Sequence, residues 1–247
     1  MEKSSFFIKS SDNINLFVQS FPVEKSKFSI LLIHGLGEHS GRYSHVIEKF
    51  NKNQISVFTL DTRGHGKSEG KRGHSPSFSQ LMDDIQLFIQ VVKPLASGQK
   101  RILYGHSMGG LLVTSYAILK SASNVDGLIV SSPALQPAFT PPKLKIVLGQ
   151  IFQYILPSLT LNNELDVNGI SRNKDTINSY LNDSLNHDQL SIKLGLDLLK
   201  YGEFCLENFQ SIKIPIILFH GKKDSLTSYN ASESTLKLNL KNLQFYG

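Results

Sequence analysis

Gly105-His106-Ser107-Met108-Gly109, followed by Gly110, reads G-x-S-x-G, a spacing that seats a serine on a sharp turn between a strand and a helix. The strand-like run Arg101–Tyr104 precedes it and a helix-like stretch over 108–122 follows. Small residues on either side let the backbone close up without clashes. The helix N-terminus beneath offers partial positive charge and free N–H groups to a developing oxyanion. Ser107 is therefore the candidate nucleophile for acyl transfer. His106 does not read as its base, because adjacent residues on such a turn point apart; it reads as a packing or turn residue.

Acyl transfer of this design needs a second oxyanion donor from the loop after an earlier strand. His34-Gly35-Leu36-Gly37 follows the apolar run Phe28–Ile33 and fits that place. The backbone N–H groups of Leu36 and Met108 are the candidate donors, with His34 bracing the loop. The acid member belongs after a later strand. His220-Gly221-Lys222-Lys223-Asp224 trails the run Ile214–Phe219, so Asp224 is the candidate. Asp61 opens Asp61-Thr62-Arg63-Gly64-His65-Gly66 and reads as structural, its carboxylate holding the glycine-rich turn. Cys205 is the only cysteine, which excludes an intramolecular disulfide and cysteine-based metal sites. It receives no role.

These residues need a scaffold, and the pattern supplies one. Residues 5–21 read as two strands around the turn Ser11-Asp12-Asn13. Strand-like runs follow at Phe28–Ile33, Ile55–Leu60, Arg101–Tyr104, Gly127–Val130 and Ile214–Phe219, alternating with helix-like stretches near 42–53, 78–96 and 108–122. Short apolar runs of this kind indicate parallel strands covered on both faces, in an α/β fold with a mostly parallel sheet and an N-terminal hairpin. The alternation stops between Pro133 and about Gln210. The expected organisation is a core in two parts, 1–132 and 211–247, with a helical cap inserted at 133–210. Inside the cap, Leu144, Val147, Leu148, Ile151, Ile155 and Leu156 fall on one helical face. The stripe either packs on the sheet domain or forms a lid surface that receives acyl chains or touches a membrane.

Composition bounds the partners. The 247 residues are 40% hydrophobic and 19% charged, which is globular and excludes a disordered, collagen-like or coiled-coil chain. The net charge of +6 is spread over scattered lysines with short pairs such as Lys71-Arg72 and Lys222-Lys223. A nucleic-acid partner would call for a basic stripe with aromatics between, so none is expected. The N-terminus has no apolar stretch of signal-peptide length, and the longest apolar runs are too short to span a bilayer. A cytoplasmic protein is expected, peripheral to a membrane where the cap touches one.

The motifs also resemble a known family. His34 to Tyr43, HGLGEHSGRY, looks like the HGxGEHSGRY segment of monoacylglycerol lipases and their lysophospholipase relatives, α/β-hydrolases of the S33 type. Asp61 to Gly70, DTRGHGKSEG, resembles the family's D-x-x-GHG-x-SEG turn, and GHSMGG is the same elbow. Ser171-Arg172-Asn173-Lys174, then Tyr180 and Asp183, resembles a cap segment. The resemblance implies an α/β-hydrolase fold with a helical cap, no cofactor or metal, and small-molecule esters of one fatty acyl chain as substrates. It also implies Ser107 and Asp224 as two triad members, with Leu36 and Met108 at the oxyanion hole.

One departure stands out. In the family the triad histidine follows the acid, just beyond a strand that here is Leu243–Tyr246. The eight histidines are 34, 39, 45, 65, 74, 106, 187 and 220, and none follows Asp224. The helix that would then cover one sheet face is not among residues 1–247 either. The expectation is an incomplete chain, impaired for hydrolysis and with an aggregation-prone sheet face. The alternative is a degenerate, non-catalytic hydrolase that binds lipid or a protein partner.

Overall fold

In the computed structural model, which describes residues 3–96 and 98–247, the strands that carry the site lie side by side in one sheet. The N-terminal hairpin pairs β1 (Ser4–Lys9) with β2 (Asn15–Phe21), and Asn13 takes a left-handed φ of 70° at its turn. There follow β3 (Phe28–Ile33), α1 (Ser44–Lys52), β4 (Ser56–Leu60), α2 (Phe78–Leu95), β5 (Lys100–His106), α3 (Met108–Leu119) and β6 (Gly127–Ser131). Residues 132–215 contain α4 (Lys143–Phe152), β7 (Thr160–Asn162), α5 (Lys174–Leu181), β8 (Gln189–Ser191) and α6 (Ile192–Asn208). The sheet resumes with β9 (Ile216–Phe219), then α7 (Tyr229–Ser234) and β10 (Leu243–Tyr246).

The eight-stranded order is β1-β2-β4-β3-β5-β6-β9-β10, antiparallel at the hairpin end and parallel from β4 onward. Alternation along the strands sorts the two faces. Leu31, Ile33, Leu103, Leu128 and Val130 point to the face covered by α2 and α3, whereas Ile30, Leu32, Val57 and Tyr104 meet Ile47 of α1 on the other. Strands buried on both sides must be apolar throughout, which is why β3 and β4 read as continuous hydrophobic runs. Helix α3 is apolar all round because it lies beneath the sheet with α6 beyond it. Helix α2 shows the amphipathic spacing instead, burying Phe78, Leu81, Met82, Ile85, Phe88, Ile89 and Val92, and its first turn is capped by the Ser77 hydroxyl accepting from the Gln80 N–H.

Boundaries differ from the sequence reading in two places. Helix α3 stops at Leu119, since Ser121 and Ala122 take left-handed φ values of 50° and 51° that end the helical path. The strand after the insertion begins at Ile216 and not at Ile214, because Pro215 has no N–H to give the ladder. In β9, Ile216 and Leu218 are buried while Ile217 and Phe219 are exposed on the face shared with α1.

The apolar stripe of the insertion does not pack on the sheet. Helix α4 ends at Phe152 and buries none of its residues; Leu144 is 70% exposed, and Ile155, just beyond the helix, 66%. The reason is where the helix is anchored. It meets α6 through Gly149, where a Cβ would stand 3.6 Å from the methyls of Leu196, and that contact leaves Leu144, Val147, Leu148 and Ile151 facing outward.

Candidate active site

The turn at Ser107 is built as its motif requires. Ser107 has φ 52° and ψ −117°, a conformation that costs on the order of 1–3 kcal/mol for a residue with a Cβ. Its backbone is pinned from three sides. The Ser107 N–H donates to the Ser131 carbonyl at 3.0 Å, and its carbonyl accepts from Leu111 at 3.1 Å and Ala134 at 3.0 Å. A Cβ on Gly105 would run into the Gly109 carbonyl, and one on Gly109 into the Ile33 carbonyl. The two glycines are thus what lets β5, the turn and the start of α3 close together. The Ser107 hydroxyl makes no hydrogen bond to a described residue.

The loop after β3 lies directly against this turn. A Cβ on Gly35 would stand 3.3 Å from the Ser107 Cβ and 2.9 Å from Glu38 Oε1. Glu38 holds the loop from inside: it accepts from the Gly35 N–H at 2.8 Å, the Tyr43 hydroxyl at 2.6 Å and Arg42 Nε at 3.2 Å. Burial alone would raise its carboxyl, but His106, His34 and these hydrogen bonds hold it below the usual range. Leu36 and Met108, at the start of the loop and of α3, have backbone N–H groups without a protein acceptor among the described residues.

The bracing residues sit where the sequence put them. His34 is fully buried, its Nδ1 2.7 Å from the Gly35 carbonyl and its Nε2 accepting from the Thr62 N–H at 3.0 Å. Asp61 accepts from the Ser40 N–H at 2.8 Å and the Lys67 N–H at 2.9 Å, tying the glycine-rich turn to the loop after β3. His106 faces Ser131, 3.0 Å from its hydroxyl, and packs on the edge of Tyr43.

Asp224 lies in the turn after β9. Its Oδ1 accepts from the Leu226 and Thr227 N–H groups, both at 2.9 Å, and its Oδ2 from the Thr227 hydroxyl at 3.0 Å. Nε2 of the buried His220 is 3.4 Å from the same Oδ2. Burial works to raise this carboxyl, yet His220 and the surrounding donors hold it far below the carboxylate range. Ser107, Leu36 and Asp224 line one cavity of about 790 Å³. The insertion closes it with Asn162, Ile170, Tyr180, Asn186 and His187.

Sequence reasoning missed what fastens the insertion to the loop. The Tyr180 hydroxyl donates to the Gly37 carbonyl at 3.2 Å, and His39 Nε2 lies 2.8 Å from Asp183 Oδ2. Arg42 stacks over the Tyr180 ring, and His65 packs on His187. Glu38 also went unassigned. Its motif stood in view, but nothing in the spacing shows that the carboxylate folds back on its own loop.

The sequence pattern of the hydrolase family described as serine aminopeptidase, S33, matches residues 24–246. The chain belongs to that family. The chain is similar to a monoacylglycerol lipase of Mycolicibacterium smegmatis, 28% identical over 80% of this chain and 70% of that protein's length. A phospholipase of Bacillus subtilis is 30% identical over 80% and 76%. An uncharacterised abhydrolase domain-containing protein of Dictyostelium discoideum is 35% identical over 94% of the chain, which spans 25% of that relative's length. Among solved structures, the monoacylglycerol lipase of Paleococcus ferrophilus superposes with a TM-score of 0.82 at 34% identity, covering 100% of this chain and 88% of that one. The architecture is thus an α/β-hydrolase fold, with Ser107 between β5 and α3.

Proposed function

We propose that this chain carries the nucleophile, acid and oxyanion hole of a serine hydrolase that cleaves carboxylic esters of single-acyl lipids, monoacylglycerols or lysophospholipids. The observation that carries this reading is Ser107, held on a strained turn with its hydroxyl unpaired, in the cavity that also contains Asp224 and Leu36. Ser107 Oγ bonds to the ester carbonyl carbon, and the oxygen that becomes negative takes the N–H groups of Leu36 and Met108. Collapse breaks the bond to the alcohol oxygen, which leaves carrying the proton that Ser107 gave up; water then attacks the acyl carbon, one of its protons returns to Ser107 Oγ, and the fatty acid is released. The cavity's volume suits a ligand of that size. In the same reading 133–210 is the cap over a core formed by 1–132 and 211–247.

Both proton transfers call for a histidine between Ser107 and Asp224, whose carboxylate would fix its tautomer. No histidine of the sequence follows Asp224, and no described histidine is bonded to Ser107. Without that imidazole, the oxyanion hole and binding leave on the order of 10³–10⁴-fold over water. The reading therefore assigns full-rate hydrolysis to a protein that carries such a histidine.

The outward row on α4, with Lys143 and Lys145 in its first turn, supports brief contact between the cap and a membrane surface by a cytoplasmic, peripheral protein. No helix among the described residues is long and apolar enough to cross a membrane.

The test uses the native protein isolated from its source. Its intact mass is read beside the 27.5 kDa of this chain, and its reaction with a fluorophosphonate probe beside that of Ser107→Ala. Labelling lost in the variant, with fatty acid released from 1-monooleoylglycerol, is the expected result. A native protein that neither labels nor releases fatty acid overturns it, and a lipid- or protein-binding role then takes its place.

A further inference from the structure

His220 is a buried titratable group that takes no part in the steps above. Its side chain is sealed from solvent, and it lines no part of the cavity over Ser107, whereas Asp224 and Thr227 do. Both ring nitrogens are nonetheless engaged. Nδ1 lies 2.8 Å from the hydroxyl of Ser232, itself buried on α7. Nε2 lies 3.2 Å from the Thr227 carbonyl and 3.2 Å from the Thr227 hydroxyl. A carbonyl only accepts, so Nε2 carries the proton, and in the neutral ring Nδ1 accepts from Ser232. The Tyr229 ring meets the imidazole edge-on, and the His220 backbone N–H donates to the Tyr246 carbonyl at 3.0 Å.

What this clamp holds is the turn around the acid. A carboxylate offers about four acceptor sites. Asp224 Oδ1 fills two with the Leu226 and Thr227 N–H groups, and Oδ2 takes the Thr227 hydroxyl. His220 Nε2 stands 3.4 Å from Oδ2, long for a hydrogen bond, with its proton shared between the two Thr227 oxygens. Oδ2 is therefore the oxygen left to receive an imidazole N–H.

Thr227 decides how that oxygen is presented. Its hydroxyl has one proton and two acceptors in reach, Oδ2 and the Ser132 carbonyl at 3.2 Å. With His220 on the acceptor side, the proton must point toward one of these two. The outer side of the turn is fixed elsewhere: Ala138 N–H donates to the Leu226 carbonyl at 3.0 Å, and Ser228 N–H to that of Gln136 at 2.9 Å. The inner side depends on His220.

We propose that His220 is a positioning residue for the acid, holding Thr227 so that Asp224 presents Oδ2 to the histidine that the reaction calls for. This rests on the reading of Asp224 as the triad acid.

The experiment measures 1-monooleoylglycerol hydrolysis by the native protein and its variants. His220→Leu removes the Nε2 donor and should lower kcat roughly tenfold with KM little changed. His220→Gln, whose amide N–H reaches the place of Nε2, should recover most of that loss. Ser232→Ala leaves the imidazole in place but unheld, and should lower kcat roughly threefold even where the Leu variant fails to fold. In an Asp224→Asn background, His220→Leu should add less than about twofold, because it acts through that carboxylate. Equal losses in the Leu and Gln variants, or an undiminished loss in the Asp224→Asn background, leave His220 a packing residue and overturn the proposal. An unchanged kcat in either His220→Leu or Ser232→Ala overturns it too. A parent without Ser107-dependent hydrolysis overturns the reading of the acid, and this proposal with it.

Discussion

The backbone N–H of His187 donates to the carbonyl of Gly37 at 2.9 Å, joining the segment that roofs the cavity to the residue after Leu36. The Tyr180 hydroxyl reaches the same carbonyl, so the candidate oxyanion loop is held partly by the roof. Tyr180→Phe removes one of these two donors and keeps the ring under Arg42. In the native enzyme kcat/KM should fall roughly fivefold, about 1 kcal/mol, with the melting temperature little changed. An unaltered kcat/KM would show that the loop keeps its shape without the roof.

Asp224 is held far below the carboxylate range, so it stays ionised well below pH 4 and its protonation should not appear in the acid limb of a rate profile near neutrality. Asp224→Asn should lower kcat on the order of 10⁴-fold in the native enzyme, as expected for losing the group that orients the base. Steady-state hydrolysis of a monoacylglycerol between pH 5 and 9 checks both statements.

Burial, with His34 and His187 beside it, holds His65 well below the usual imidazole range. The sign follows from proton binding: as pH falls below about 6.5 the unfolded chain takes up a proton that the folded one refuses. His65 therefore favours the fold above that pH, and its share is lost progressively toward its lower folded value, by at most about 1.4 kcal/mol per pH unit. Urea unfolding at pH 7.5, 6.5 and 5.5 should show declining stability. The slope should be shallower in His65→Gln.

Gly109 has no room for a side chain against the Ile33 carbonyl. Gly109→Ala should destabilise by about 1–3 kcal/mol or more, since backbone on both sides must move. Thermal unfolding measures it, and a variant that melts like the parent would contradict the packing described at the elbow.

Charge placed on the outer row of α4 should leave folding alone and change association. Leu148→Glu and Ile151→Glu replace side chains that are about half exposed and outside the core, so unfolding free energies should move by no more than about 0.5–1 kcal/mol. Co-sedimentation with phosphatidylglycerol vesicles should fall at least tenfold. A large loss of stability in either variant would restore the packing role that the sequence pattern also allowed.

Much of the fold was legible because it rests on local rules. Parallel strands buried on both faces must be apolar runs, and G-x-S-x-G between a strand and a helix leaves its serine one place to be. The place of Asp224, in the turn after β9 and on the wall of the Ser107 cavity, was legible by following the strand that resumes the sheet after the insertion. The stripe on α4 was ambiguous for a physical reason: amphipathic spacing says which residues share a side, not whether that side meets protein or solvent. The pairs Gly37–His187 and His39–Asp183 join residues far apart in sequence, and such contacts leave no periodic trace. Asp197 Oδ2, buried and without a hydrogen-bond partner among the described residues, was equally invisible, since a carboxylate four residues after a lysine reads as an ordinary surface ion pair.

Helix α4 contributes no buried side chain, and that gives it an unusual mutational freedom. Most substitutions are purged because they weaken a core, but here the core would hardly register them. Its sequence can drift, or be selected, while the elbow and its sheet stay fixed. The scaffold and this outward surface can therefore evolve on separate clocks.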